Sequence, residues 1–178
     1  TKVVNIPRKE NFDIDEEAVL ARMAEGDIDF AVITSPNNPT GKMANETFLK
    51  KLLDSSDALI MVDEAYFEFS RFSMRPYLDQ YENLVILRTF SKAFSLAGVR
   101  MGYLLANTSV IREFLKVRQP YSVDSVSQAI ATAVYRNRSL FVPGINQIIE
   151  QRGVLLEELG KMPGVTAFDS DSNYVLFR

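Results

Sequence analysis

A chain of 178 residues with 47% apolar side chains is long enough to bury the core of one ordinary domain, with room for a small second unit. Charged residues of both signs make up 24% of it and leave a net charge of -3, which excludes the basic surface typical of nucleic-acid binding. No apolar run predicts a membrane helix, and the first residues lack the order of a signal peptide, so we expect a cytoplasmic protein. The absence of cysteine and histidine excludes disulfides and thiolate metal sites, so no metal is expected, and leaves proton transfer to Lys, Tyr, Asp or Glu.

Helical and strand patterns alternate along most of the chain, which is typical of an α/β fold. Residues 1–6 and 173–178 read as strands, so we expect the sequence to be a piece of a longer protein. The apolar run Phe30-Ala31-Val32-Ile33 predicts a parallel strand buried on both faces, and Asp13 or Asp15 is a candidate helix cap. This strand is predicted at 28–34, and others at 58–62, 84–88 and 99–105. The capped helix is predicted to end at Ala24, and further helices are predicted at 45–53, 109–117, 125–136 and 142–159. The expected fold is a mostly parallel sheet with helices on both faces.

The pattern changes near the carboxyl end of the chain. Gly160 to Gly164, with Pro163, interrupts the last helical pattern, and the tail then alternates as a pair of strands would. We therefore expect residues 1–150 to belong to a large domain. Residues 151–178 would then form the end of a long helix and the start of a small α+β domain.

Polar clusters follow three of the predicted strands. They are Asn37-Asn38-Pro39-Thr40-Gly41, Asp63-Glu64-Ala65-Tyr66 and Thr89-Phe90-Ser91-Lys92. Each cluster alone has an ordinary structural explanation, such as a turn, a helix cap or a solvated charge. Because ligands bind outside the carboxyl ends of parallel strands, the joint pattern predicts a binding site where these clusters meet.

This ordered set of motifs resembles the fold-type I aminotransferases that depend on pyridoxal phosphate (PLP), class I and II, and most closely the histidinol-phosphate group. The segments that carry the resemblance are 35–41, 62–66, 89–94 and 96–102, whose last part reads Leu96-Ala97-Gly98-Val99-Arg100-Met101-Gly102. The resemblance implies the large PLP-binding domain of such an enzyme, a homodimer, and small amino-acid and keto-acid substrates. It also implies transamination between histidinol phosphate and imidazole-acetol phosphate, with glutamate and 2-oxoglutarate as the other pair.

The resemblance assigns roles around the cofactor ring. Lys92 matches the lysine that binds PLP covalently and later moves a proton as a free amine. Asp63 matches the carboxylate that faces the pyridine nitrogen and keeps it protonated. Asn38 and Tyr66 match the two donors to the phenolic oxygen of the ring.

The resemblance also predicts how the phosphate is held. Ser91 and Arg100 match the family's phosphate-binding residues, and Thr89 is a plausible third donor. A planar guanidinium suits this task because it can bond two phosphate oxygens and stays charged. Arg100 follows Lys92 after a short loop, so the chain can return toward the phosphate.

Other functions share parts of this pattern. Aromatic aminotransferases, carbon–sulfur lyases and a phosphothreonine decarboxylase have the same fold, and a non-catalytic PLP-binding regulatory module is a further alternative. A Rossmann nucleotide binder is excluded because no G-x-G-x-x-G follows the first strand. The family's ring-stacking aromatic and its carboxylate-binding arginines match no part of this sequence, so we expect the chain alone to bind PLP weakly.

Overall fold

Four strands form one sheet in the computed structural model, which describes residues 2–178. Strands β1, β2 and β3 are parallel, and β4 pairs antiparallel with β3. The strands are β1 Phe30–Thr34, β2 Leu59–Asp63, β3 Leu84–Thr89 and β4 Gly102–Ala106, in the order β1-β2-β3-β4. The predicted α/β fold with a mostly parallel sheet is therefore confirmed.

Most of the helices begin after a side chain that accepts a hydrogen bond from their free N–H groups. The helices are α1 Glu16–Met23, α2 Glu46–Asp54, α3 Phe67–Ser70, α4 Thr108–Val117, α5 Ser125–Arg136 and α6 Val142–Gly160. Four of them start after an Asp or Asn whose side-chain oxygen accepts a hydrogen bond from the first turn: Asp15, Asn45, Asn107 and Asp124. Of the two caps considered for α1, the structure selects Asp15. Within residues 2–178, no helix combines the length and apolar character needed to cross a bilayer.

The main core lies between α2 and one face of the sheet. Phe48, Leu49 and Leu52 of α2 are almost fully buried and belong to one cluster with Ile60 and Ile86 of the sheet. Full burial of a large apolar side chain contributes about 1.5–3 kcal/mol. This packing fixes the position of the strands relative to α2. The polar clusters begin where the strands end.

Two details of the predicted sheet are wrong. Phe30 and Val32 of β1 are 45% and 52% exposed, because β1 is an edge strand and one of its faces is uncovered within residues 2–178. Residues 2–6 do not pair with the sheet, and Thr1 lies outside the described residues. The extended segment instead runs beside β1 and lines with it a cavity of about 610 Å³.

A buried ion pair joins the end of β2 to β3. Arg88 Nη2 lies 2.8 Å from Glu64 Oε2, and the two side chains are 9% and 1% exposed. Glu64 also accepts hydrogen bonds from the Met74 N–H at 2.7 Å and the Ser73 hydroxyl at 2.8 Å. Burial raises the pKa of the Glu64 carboxyl, and the contacts with Met74, Ser73 and Arg88 oppose that rise. The guanidinium of Arg88 also lies 3.5 Å from the ring centroid of Phe67.

The segment after α6 folds back onto the loop that follows β1. Residues 166–168 pair antiparallel with 176–178 through hydrogen bonds such as Phe168 N–H to Leu176 O at 2.9 Å. The predicted strand pair is thus reduced to this short bridge, since residues 173–175 form no strand. The Asp171 N–H then donates to the Gly41 carbonyl at 2.9 Å. The domain division at residue 150 remains a proposal.

Loss of the Glu64 charge tests the buried pair. We expect Glu64→Gln to lower the free energy of unfolding by about 3–5 kcal/mol, because the Arg88 charge is left buried without a counter-ion. Urea unfolding of the wild type and the variant measures this difference in the free energy of unfolding. The matched control is Glu113→Gln, which breaks the exposed pair with Lys116 at 2.6 Å and should change little. A loss no larger than that of the control would contradict the role given to the pair.

The contact between the tail and the loop is tested at Gly41. This residue has φ +72°, and a Cβ there would lie 2.2 Å from Ser170 Oγ. We expect Gly41→Ala to lower the free energy of unfolding by about 1–3 kcal/mol, since strain and overlap add. Gly153→Ala is the control, because a Cβ there meets no atom within 4 Å. It should raise the free energy of unfolding by about 0.5–1 kcal/mol, since Gly153 lies within α6 and glycine destabilises a helix relative to alanine. Equal effects of the two substitutions would refute the contact.

Candidate cofactor site

The three polar clusters meet at one rim of the sheet. The parallel register aligns Thr34 with Asp63 and Asp63 with Leu87, so the loops after β1, β2 and β3 leave the same edge. The Asn38 amide donates to the Tyr66 hydroxyl at 2.8 Å across this rim. The meeting of the clusters predicted from strand order is therefore observed.

A cavity of about 610 Å³ opens at this rim, within the size range of small-molecule sites. Five of the predicted site residues line it: Asp63, Thr89, Ser91, Lys92 and Arg100. The other two, Tyr66 and Asn38, lie beside the cavity. Lys92 Nζ is 5.5 Å from the Tyr66 ring centroid, and the Asn38 amide is hydrogen-bonded to the Tyr66 hydroxyl. The equally large cavity beside β1 contains none of the predicted site residues, and its Arg22 is paired with Asp27 at 2.5 Å.

The positively charged side chains around the cavity differ in whether they form an ion pair. Arg88 lines it but is neutralised by Glu64. Within residues 2–178, neither Lys92 nor Arg100 forms an ion pair. Among these same residues, the Arg100 side chain donates only to the Ala97 carbonyl, from Nη1 at 2.8 Å. Two exposed cations thus face a space that an anion can enter.

Asp63 supplies the carboxylate of the cavity. It is the last residue of β2 and is half-buried. Its Oδ1 accepts a hydrogen bond from the Ala65 N–H at 3.0 Å, which holds the side chain against the turn that leads to Tyr66. The carboxylate therefore has a fixed direction before any ligand arrives.

The loop between β3 and β4 is closed by its own hydrogen bonds. Thr89 Oγ1 accepts from the Ser91 N–H at 3.1 Å and donates to the Met101 carbonyl at 3.4 Å. Arg100 has the left-handed conformation, with φ 56° and ψ 39°, at a cost of about 1–2 kcal/mol. This turn brings Arg100 to the same cavity as Ser91 and Lys92. The Thr89 hydroxyl is engaged within the loop, whereas that of Ser91 makes no hydrogen bond within residues 2–178.

Two features of the site were not predicted from the sequence. Tyr174 donates its hydroxyl proton to the Asn37 carbonyl at 2.8 Å and packs edge-to-face on Tyr66, with ring centroids 5.2 Å apart. No local pattern indicates a contact between residues so far apart in the chain. The pair of Glu64 and Arg88 did have a signal, because opposite charges flank the ends of adjacent apolar strands.

Comparisons with known proteins identify the family of the sequence. The sequence matches the family described as aminotransferase class I and II over residues 1–178. It is 36% identical over 177 residues to the histidinol-phosphate aminotransferase of Chlorobaculum tepidum, covering 99% of this chain and 51% of that protein. The corresponding protein of Thermococcus kodakarensis is 39% identical over 176 residues, with 99% and 50% covered.

A solved structure has the same fold. It is histidinol-phosphate aminotransferase from Sinorhizobium meliloti in complex with pyridoxal-5'-phosphate, with a TM-score of 0.85 and 24% identity over 99% of this chain and 49% of that one. At this identity the likeness concerns the fold. The chain spans about half the length of the relatives it matches. With the family match extending over residues 1–178, the chain belongs to the class I and II aminotransferases.

Proposed function

We propose that this chain carries the cofactor-anchoring part of a PLP-dependent aminotransferase that acts on histidinol phosphate with the glutamate/2-oxoglutarate pair. The observation that carries the proposal is the rim cavity, where Lys92, a carboxylate and an unpaired arginine meet. The substrate assignment rests on the relatives in Chlorobaculum tepidum and Thermococcus kodakarensis, both named histidinol-phosphate aminotransferase. We also propose a cytoplasmic homodimer, as is typical of the family.

The side chains at the rim fit PLP group by group. Arg100 and the free Ser91 hydroxyl suit a phosphate, with Thr89 as a further proposed donor. Asp63 suits a protonated ring nitrogen, because a carboxylate stabilises a positive charge opposite to it. The Tyr66 hydroxyl and the Asn38 amide are two donors of the kind that the ring's phenolic oxygen requires.

The proposed chemistry divides between cofactor and protein. PLP, when bound, withdraws electrons from the α-carbon of an amino acid attached to it. Lys92 Nζ would anchor the cofactor and, as a free amine, would take the proton from the α-carbon of the amino donor and pass it to the C4′ carbon of the cofactor. With the acceptor keto acid, the same amine would move a proton from C4′ to the α-carbon of the new amino acid. With no histidine in the chain, the Lys92 amine is the base best placed for this transfer.

Lysine labelling tests the anchor. We expect PLP followed by borohydride to modify Lys92, because its amine lines the cavity and is unpaired. Mass spectrometry of the digested protein locates the label. It should vanish in Lys92→Ala and persist in Lys116→Ala, a surface lysine paired with Glu113. Equal labelling of several lysines, or none on folded protein at saturating PLP, would refute the assignment.

The phosphate role of Arg100 is tested by comparing PLP with pyridoxal. We expect Arg100→Met to raise the Kd of PLP by about 10- to 100-fold, the value of charge-assisted hydrogen bonds. The Kd of pyridoxal, which has no phosphate, should stay the same. Titration of the visible absorption measures both. Arg112→Met, on α4 and outside the cavity lining, is the control. A similar loss for both ligands would show that Arg100 acts on something other than the phosphate.

A further inference from the structure

Tyr174 contacts the supports of both residues assigned to the phenolic oxygen of the cofactor. Its hydroxyl donates to the Asn37 carbonyl at 2.8 Å, immediately before Asn38. Its ring packs against Tyr66 with an interplanar angle of 86°. Because Asn38 in turn donates to the Tyr66 hydroxyl at 2.8 Å, one side chain of the tail supports both members of this pair.

The turn that carries Asn38 is also held by its own hydrogen bonds and, at Gly41, by the Asp171 N–H of the tail at 2.9 Å. The Asn37 carbonyl also accepts from the Gly41 N–H at 2.7 Å, and the Asn37 amide donates to Thr40 Oγ1 at 2.9 Å. These bonds close the turn within itself. The contact from Tyr174 comes from outside the turn and restrains the peptide plane that precedes Asn38.

The tail holds Tyr174 firmly in this position. The Ser170 hydroxyl donates to the Tyr174 carbonyl at 2.6 Å, and Arg152 of α6 donates to the Ser172 carbonyl at 2.7 Å. The Tyr174 hydroxyl is protonated at neutral pH, as any tyrosine is, and burial raises its pKa further. The restraint is therefore built into the tail and does not depend on a bound ligand.

We propose that Tyr174 is a positioning residue of the cofactor site, which sets the orientation of the Asn38–Tyr66 pair and so couples the C-terminal tail to the donors at the phenolic oxygen. The role in cofactor binding rests on the proposed function. The coupling of Tyr174 to Asn38 and Tyr66 does not, because it consists of contacts within the chain. A displacement of the tail changes the hydrogen bonding of Asn38 and Tyr66, and with it the environment of the cofactor.

Graded substitutions separate the hydroxyl from the ring. Tyr174→Phe removes the hydrogen bond to Asn37 and keeps the contact with Tyr66, whereas Tyr174→Ala removes both. The matched control is Phe168→Ala, which removes another edge-to-face pair of the same tail, with Phe12 at 5.0 Å, away from the cavity. All three change the tail, but only the first two touch the supports of the site.

Two readouts follow the coupling. The first is the side-chain amide resonance of Asn38 in the PLP-free protein, assigned by its loss in Asn38→Asp. The second, with PLP bound, is the Kd and the midpoint of the pH titration of the visible absorption, with the facing groups Lys92, Asp63, Tyr66 and Arg100 unchanged. We expect Tyr174→Phe to shift the resonance and the midpoint and to weaken PLP binding about 2- to 10-fold, the value of one hydrogen bond.

Tyr174→Ala should exceed these effects, and Phe168→Ala should leave both readouts as in the wild type. The proposal is overturned if Tyr174→Phe and Phe168→Ala behave alike, with the Asn38 resonance unmoved. A wild-type chain that takes no PLP would count against the proposed function alone, because the PLP-free amide resonance decides the coupling by itself.

Discussion

The parallel register of β1, β2 and β3 is the constraint on which the site depends. Because these strands run in one direction with their ends aligned, the loops after Thr34, Asp63 and Thr89 leave the sheet at one rim. Burial of α2 against the sheet fixes this alignment, since a slip of one residue would turn the apolar face outward. Strand pairing thus determines where the cavity lies, and the side chains determine what it can bind.

The buried pair of Glu64 and Arg88 determines which positive charges at the rim are left unpaired. Arg88 would otherwise be a third cation at the cavity, and neutralising it leaves Lys92 and Arg100 as the free positive charges. Asp63 is the last residue of β2 and Glu64 follows it directly, so one strand end supplies both the internal counter-ion and the carboxylate that lines the cavity. Adjacent carboxylates therefore have different tasks because one points into the protein and the other does not.

Local sequence predicted most of the fold and the place of the site. The helix predicted at 125–136 is observed at those residues, and the one predicted at 45–53 is observed at Glu46–Asp54, within one position at each end. The burial of β1 was overestimated, because apolar character shows that a strand can be covered and not what covers it. Tyr174 was missed for a related reason: its partners lie in another part of the chain, and their meeting depends on how the tail folds back.

The site is therefore assembled from parts with different origins. The rim residues on β2 and β3 are placed by the sheet, whereas Asn38 lies on an exposed turn whose outer restraint comes from the tail. Loops of this kind open more readily than the core they stand on. A ligand that binds Asn38 and Tyr66 together with Lys92 would favour the arrangement in which the Asn38 amide donates to Tyr66, by its differential affinity for that state. If Tyr174 sets this arrangement, as proposed, tail docking and cofactor binding would stabilise each other.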